Sequence, residues 1–182
     1  MLNRYLPATP AVTALAILVV ALATLVGAWI LQTLGVQPCE LCLQQRYAYY
    51  VGIPIAVVIL AMARGSTPLA ALKVGLGVLA LIFAANAVLA FYHSGVELKL
   101  WTGPTACTGS IGETPTNASD LLAALDKVKV VRCDEINFRI FGLSLANWNV
   151  LVSAGLACLA ARAIVAGGVD PGKQPASTRP AT

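Results

Sequence analysis

Five cysteines stand in this chain, and four of them, Cys39, Cys42, Cys107 and Cys133, lie outside its long apolar runs. Cys39 and Cys42 belong to Pro38-Cys39-Glu40-Leu41-Cys42, just ahead of such a run. Two cysteines at that spacing close a small ring, suited to opening and closing in thiol exchange. A helix starting there would offer them unpaired N–H groups and the positive end of its dipole, both favouring an anion. The thiolate is the reactive species in exchange, and such surroundings stabilise it. Arg46 follows Cys42 by four residues, so on a helix its guanidinium lies over the same face and favours a nascent thiolate. Cys107 and Cys133 are far apart in sequence, a separation that suits a disulfide tying a flexible loop. Both pairs stay oxidised only outside a reducing cytosol.

Two blander readings compete. Static disulfides bracing two loops would explain Cys107 and Cys133 well, but a ring as small as that of Cys39 and Cys42 constrains little. A zinc centre needs more ligands than one closely spaced pair supplies, and the single histidine, His93, is remote from both pairs in sequence, so no metal is expected. Cys158 sits among Ala and Leu in the last apolar run and reads as a buried, inert thiol. His93, at the end of the third apolar run, suits donation to an acceptor's oxygen or its protonation, or else plain anchoring of a helix end at an interface.

The elements that must carry these groups follow from composition. Of 182 residues, 58% are hydrophobic and 11% charged, against about 45–50% and about 25% in soluble domains. Mean hydropathy is +0.80. So little polar material cannot cover a water-facing globule, and the net charge of +4 is too small and scattered for nucleic-acid binding. Four runs are long enough to cross a hydrocarbon core of about 30 Å, which takes roughly 20 apolar residues. They cover about 11–34, 47–63, 69–92 and 141–161. The first exceeds a signal-peptide core and has no clear cleavage site after it, so it is expected to be retained. Asn147 and Asn149 are too polar for lipid and should face the bundle or the interface, while Trp29, Trp101 and Trp148 read as interface anchors.

The expected fold is an all-α membrane protein, a four-transmembrane-helix bundle forming one domain over 1–166. Its loops at about 35–46 and 93–140 share one side, and 167–182 form a disordered tail rich in Gly, Pro, Ser and Thr. The longer loop is expected to carry a short amphipathic helix with Leu121, Leu122, Leu125 and Val128 on one face. Basic residues do not orient the bundle by count, since Arg4, Arg64, Lys73, Arg162, Lys173 and Arg179 face Arg46, Lys99, Lys127, Lys129, Arg132 and Arg139. The short hairpin between Arg64 and Lys73 favours cytoplasmic termini, because short loops weigh most in the positive-inside rule.

The run Pro38-Cys39-Glu40-Leu41-Cys42-Leu43-Gln44-Gln45-Arg46 resembles the first-loop motif of the disulfide bond formation protein B (DsbB) family. The resemblance extends to Tyr92-His93, to Cys107 after Trp101-x-Gly-Pro, to Cys133, and to Gly142-Leu143-Ser144 with Trp148. It implies a quinone-linked thiol:disulfide oxidase of the bacterial inner membrane, both termini cytoplasmic and both cysteine loops periplasmic. The implied partner is a periplasmic thioredoxin-like dithiol oxidase of the DsbA type. Such partners are strong oxidants, so their reoxidation needs an acceptor above glutathione, and a respiratory quinone qualifies. By the match, the disulfides are Cys39–Cys42 and Cys107–Cys133, Cys107 takes the partner, and Cys133 joins Cys39 in an intermediate. Cys42 is left as the thiolate facing the quinone, which Arg46 and His93 bind, with ubiquinone favoured over menaquinone. A sister oxidase dedicated to one substrate protein, a bundle of the vitamin K epoxide reductase kind and a non-catalytic scaffold with structural disulfides are the alternatives.

Overall fold

Helix α1 (Pro10–Thr33) starts where Thr9 accepts a hydrogen bond from the Val12 N–H and Pro10 takes the first turn. In this computed structural model, which describes residues 9–104, 132–136 and 138–166, three further long helices follow. They are α2 (Glu40–Ala63), α3 (Leu69–Glu97) and α4 (Leu145–Ala166), the last preceded by a two-stranded antiparallel ladder of β1 (Arg139–Ile140) and β2 (Leu143–Ser144). All four helices are long and apolar enough to cross a membrane. The chain is therefore a mostly helical, multi-pass membrane bundle, as its composition requires.

Loops decide where each helix stops. At the end of α1, Gly35 adopts φ +94°, the Gly35 N–H donates to Gln32 O and the Val36 N–H to Leu31 O. That Schellman motif turns the chain back within a few residues, so Cys39 opens α2 beside the end of α1. At the end of α3 the same pair of bonds forms from Lys99 to Val96 and from Leu100 to Gly95. Here Lys99 itself takes the left-handed conformation, φ 58°. Phe141 and Gly142 both have positive φ, the pattern of a two-residue hairpin turn. Ser144 then accepts from the Asn147 N–H and caps α4.

The helix bounds differ from the hydropathy bounds at the far end of α4, which runs on to Ala166, and at three places at the cysteine end. α2 opens at Glu40 rather than near Tyr47, α3 runs on to Glu97 rather than stopping near Tyr92, and α4 begins at Leu145 rather than near Phe141. Polar residues here continue helices that apolar runs begin, because the caps and not the hydropathy end them. The 29 residues of α3 span about 43 Å, more than a hydrocarbon core demands.

Packing follows the chain: α1 against α2, α2 against α3, and α3 most extensively against α4. α1 and α4 close the ring with the lightest contact. The core joins Ile17 and Ala21 of α1, Tyr49, Ala56 and Ile59 of α2, Leu76, Leu79 and Phe83 of α3, and Leu156 and Ala160 of α4. Leu81, Val74, Val88 and Val165 point outward and are among the most exposed side chains. An apolar exterior of this kind belongs against lipid tails. Cys158 lies on that exterior, exposed on α4, and is not the buried thiol expected, since a ring of only four helices leaves each one an outer face. Cys107, the helix expected around Leu121 to Val128 and the tail 167–182 lie outside the described residues.

Candidate functional site

Cys39 is the N-cap of α2. Its sulfur accepts from the Cys42 N–H at 3.4 Å and donates to the Cys42 sulfur at 2.9 Å. The two sulfurs are unbonded and held within easy reach of disulfide closure. Donation to Cys42, with burial added, pushes the Cys39 thiol up to about 12, while His93 beside it pulls the other way. Cys133 is brought to the same end of α2, buried in one cluster with Cys39, Leu41 and Val96. Burial raises the Cys133 thiol to about 11, against the backbone N–H groups of Leu41 and Glu40, and the neighbouring Cys39 raises it further.

His93 is 2% exposed and lies within the last turns of α3. Its Nε2 is 3.5 Å from Cys39 Sγ and 3.9 Å from Glu97 Oε1. A histidine remote from the cysteines in sequence is therefore adjacent in space, which corrects the expectation that none sits near them. Gln45 Nε2 donates to His93 Nδ1 at 3.0 Å, leaving the neutral ring's proton on Nε2. Gln45 Oε1 accepts from Asn149 Nδ2 at 2.5 Å, Tyr49 donates to Asn149 Oδ1, and Ser153 joins Tyr49 and Asn86. Asn147 likewise faces inward, accepting from Ser94. Polar groups at membrane depth are costly unless paired, and this network pairs them. Among the described residues one atom escapes it: Glu97 Oε2 is buried without a hydrogen-bond partner.

A cavity of about 270 Å³ opens where α1 and α4 pack most lightly. Leu25, Leu31, Trp148 and Val152 form its apolar wall, and Cys39, Cys42, Gln45, Arg46, His93 and Glu97 its polar end. Arg46 shares this cavity with Cys42, and its guanidinium also ties α2 to α1, donating to Gln32 Oε1 at 2.7 Å and to Ala28 O at 3.4 Å. A flat ring carrying two carbonyl oxygens fits such a lining, with hydrogen-bond donors at one end and an apolar wall along its face. Of the sequence-derived residues, Cys39, Cys42, Cys133, Arg46 and His93 are gathered here, and Cys107 lies outside the described residues. Of the anchoring tryptophans, Trp148 donates to Ile140 O and lines the cavity, Trp101 donates to Tyr92 O, and Trp29 donates to Tyr50.

Sequence reasoning overlooked Glu97, Asn86 and Ser153 and saw Gln45 only as a letter in the motif; Tyr49, expected with Tyr47 and Tyr50 to anchor at the interface as the tryptophans do, is instead buried in the core. Two signals were present: Glu97 one helical turn beyond His93, and Asn86 in mid-span, where a polar side chain demands a partner.

The family model described as "Disulfide bond formation protein DsbB" matches residues 10–163. A disulfide bond formation protein B 2 of Pseudomonas syringae pv. syringae is 29% identical over 149 residues, covering 76% of this chain and 79% of that relative. Its counterpart in Pseudomonas savastanoi pv. phaseolicola is 30% identical with the same coverage. A disulfide bond formation protein B of Azoarcus sp. is 32% identical over 129 residues, covering 69% of this chain and 74% of the relative. No solved structure matches the chain.

Proposed function

The chain belongs to the disulfide bond formation protein B family, and we propose that it reoxidises a periplasmic DsbA-type dithiol oxidase and passes the electrons to a membrane quinone. The observation that carries this reading is the cavity in which Cys42, Arg46 and His93 meet an apolar wall, with Cys133 packed against Cys39 behind it.

In the proposed sequence a partner thiolate attacks Cys107, breaking Cys107–Cys133 and forming a mixed disulfide. The Cys133 thiolate attacks Cys39, so Cys39–Cys133 forms as Cys39–Cys42 breaks and Cys42 is released as a thiolate. The partner's second thiol displaces Cys107, and the partner leaves oxidised. Cys107 then attacks Cys133, restoring their bond and freeing Cys39. Closure of Cys39–Cys42 surrenders two electrons, and the two protons come from the partner's dithiol. A bound quinone supplies the two-electron, two-proton acceptor. Arg46 and the Nε2–H of His93 are the donors at the cavity's polar end that would hold its oxygens, and the N-terminus of α2 supports negative charge on Cys42.

The chemistry requires the loops at 35–39 and 98–144 to face an oxidising compartment, the periplasm, with both termini in the cytoplasm of an inner-membrane protein. The Arg64 and Lys73 hairpin at the opposite end is consistent with that orientation.

Purified chain, reduced DsbA-type partner and a soluble ubiquinone analogue test it by quinone absorbance. About one quinone should be reduced per partner dithiol oxidised, since both are two-electron couples. Failure of quinone-linked oxidation, or full turnover in Cys42→Ser, overturns the reading. A menaquinone analogue in parallel identifies the preferred acceptor.

A further inference from the structure

A buried carboxylate with an unpaired oxygen needs explaining. The Glu97 side chain is 8% exposed, lines the cavity with both cysteines and His93, and leaves Oε2 without a partner among the described residues. It also ends α3, where the helix dipole disfavours negative charge and favours a cation. Its neighbour His93, 3.9 Å away, forms with the Cys39 and Cys42 sulfurs a group whose ligand atoms all lie within 4.8 Å of one another. We propose that the dithiol form of this chain binds one borderline-soft divalent cation, zinc above all, through Cys39 Sγ, Cys42 Sγ, His93 Nε2 and a Glu97 carboxylate oxygen.

The ligand set is that of a tetrahedral zinc site, two thiolates with one nitrogen and one oxygen. Bond lengths of about 2.3 Å to sulfur and about 2.0–2.2 Å to nitrogen and oxygen place tetrahedral ligands about 3.8 Å apart for sulfur pairs, about 3.5 Å for sulfur and nitrogen, and about 3.4 Å for nitrogen and oxygen. The observed separations are 2.9 Å between the sulfurs, 3.5 Å from Cys39 Sγ to His93 Nε2 and 3.9 Å from His93 Nε2 to Glu97 Oε1. Small side-chain movements close Cys39, Cys42 and His93 on the metal, whereas the Glu97 carboxylate lies outside that 4.8 Å group and swings in from its place beside His93. Two ligands come from the start of α2 and two, one turn apart, from the end of α3, so the helices themselves preorganise the site.

Binding replaces the thiol protons, which leave to solvent as the two S–H bonds give way to metal–sulfur bonds. No electron moves. Coordination at Nε2 puts the imidazole proton on Nδ1, so the Gln45 amide turns to accept it through Oε1. The Asn149 amide turns in step, the kind of outer partner that metal-bound histidines have. Two thiolates and a carboxylate around a dication leave one negative charge, facing Arg46 and the N-terminus of α2. A Cys39–Cys42 disulfide removes both thiolates, so the site exists only in the reduced form. This gating rests on the proposed redox cycle. A metal held there keeps the pair from closing and stops electron delivery.

The test uses full-length chain with Cys107→Ser, Cys133→Ser and Cys158→Ser, so that only Cys39 and Cys42 remain, reduced with a phosphine and titrated with Co²⁺. We expect one Co²⁺ per chain, with thiolate-to-cobalt charge-transfer absorption and tetrahedral d–d bands that Zn²⁺ abolishes. Glu97→Gln and His93→Ala should each weaken binding at least as much as the about 10–100-fold cost of losing an outer-shell partner. Absence of the charge-transfer band, equal binding by the disulfide form, or unchanged affinity in both variants overturns the site. Glu97→Gln keeps the side chain's shape, so it reports on ligation even where His93→Ala disturbs folding. Quinone reduction by metal-free wild-type chain is measured separately. Turnover without cobalt binding sinks the metal site and leaves the oxidase reading standing, while cobalt binding without turnover does the reverse.

Discussion

At the scale of single residues, the sulfurs differ because their hydrogen bonds differ. Cys39 donates to Cys42 and keeps its proton, whereas Cys42 receives that bond and also faces the cavity. Cys133 is held high by burial, at about 11. A raised value keeps the thiol protonated at neutral pH, so its thiolate fraction climbs about tenfold per pH unit until about 11. Alkylation of Cys133 in the reduced chain, followed by mass spectrometry, should therefore be slow at pH 7 and accelerate tenfold per unit through pH 10. A plateau at pH 9 would show an ordinary thiol. Arg46 does two jobs, clamping α1 and presenting a cation to the cavity. A charge-assisted hydrogen bond is worth about 1.5–3 kcal/mol, so Arg46→Ala should raise the quinone KM roughly 10- to 100-fold. An unchanged KM in a rate series would reduce Arg46 to the clamp alone.

Among the elements, the end of α3 matters most, since its extra turns carry both His93 and Glu97 to the cysteines. Trp101 folds back over this end. Its indole donates to Tyr92 O, stacks on the Tyr92 ring and covers Gly95 so closely that a Cβ there would overlap it. Gly95→Ala should thus dislodge the segment after α3 and destabilise the protein by about 1–3 kcal/mol, the usual cost of overpacking. Thermal unfolding in detergent measures this, and an unchanged Tm would mean the ring moves aside freely. Deeper in the bundle, Ser153 accepts from Asn86 and bonds with Tyr49. Ser153→Ala strands Asn86 Nδ2 and should cost about 1–3 kcal/mol by the same measurement.

For the molecule as a whole, the decisive quantity is orientation. The ends of α1 and α3 and the starts of α2 and α4 share one end, and the hairpin between α2 and α3 lies at the other. A chain stripped of its native cysteines, carrying Gln37→Cys or Ser66→Cys, should react with an impermeant maleimide added outside spheroplasts only at position 37. The opposite pattern would put the cysteine end in a reducing compartment and end the oxidase proposal. On the proposed function, the light α1–α4 contact beside the cavity is a seam through which a lipid-dissolved acceptor would reach the polar end.

Four apolar runs and the spacing of Cys39, Cys42 and Arg46 were legible in the chain, because each depends on interactions within a turn or two of one helix, whereas the start of α2 was not, since Cys39 caps it well ahead of the apolar run. The meeting of Cys39 with His93, 54 positions away, and of Gln45 with Asn149, 104 positions away, was not. These helices are apolar on every side, so nothing in their own pattern says which face turns inward. Only packing of the four against one another sets each rotation about its axis, and that rotation decided which polar side chains share a cavity and which sulfur lies on the bundle's outer face.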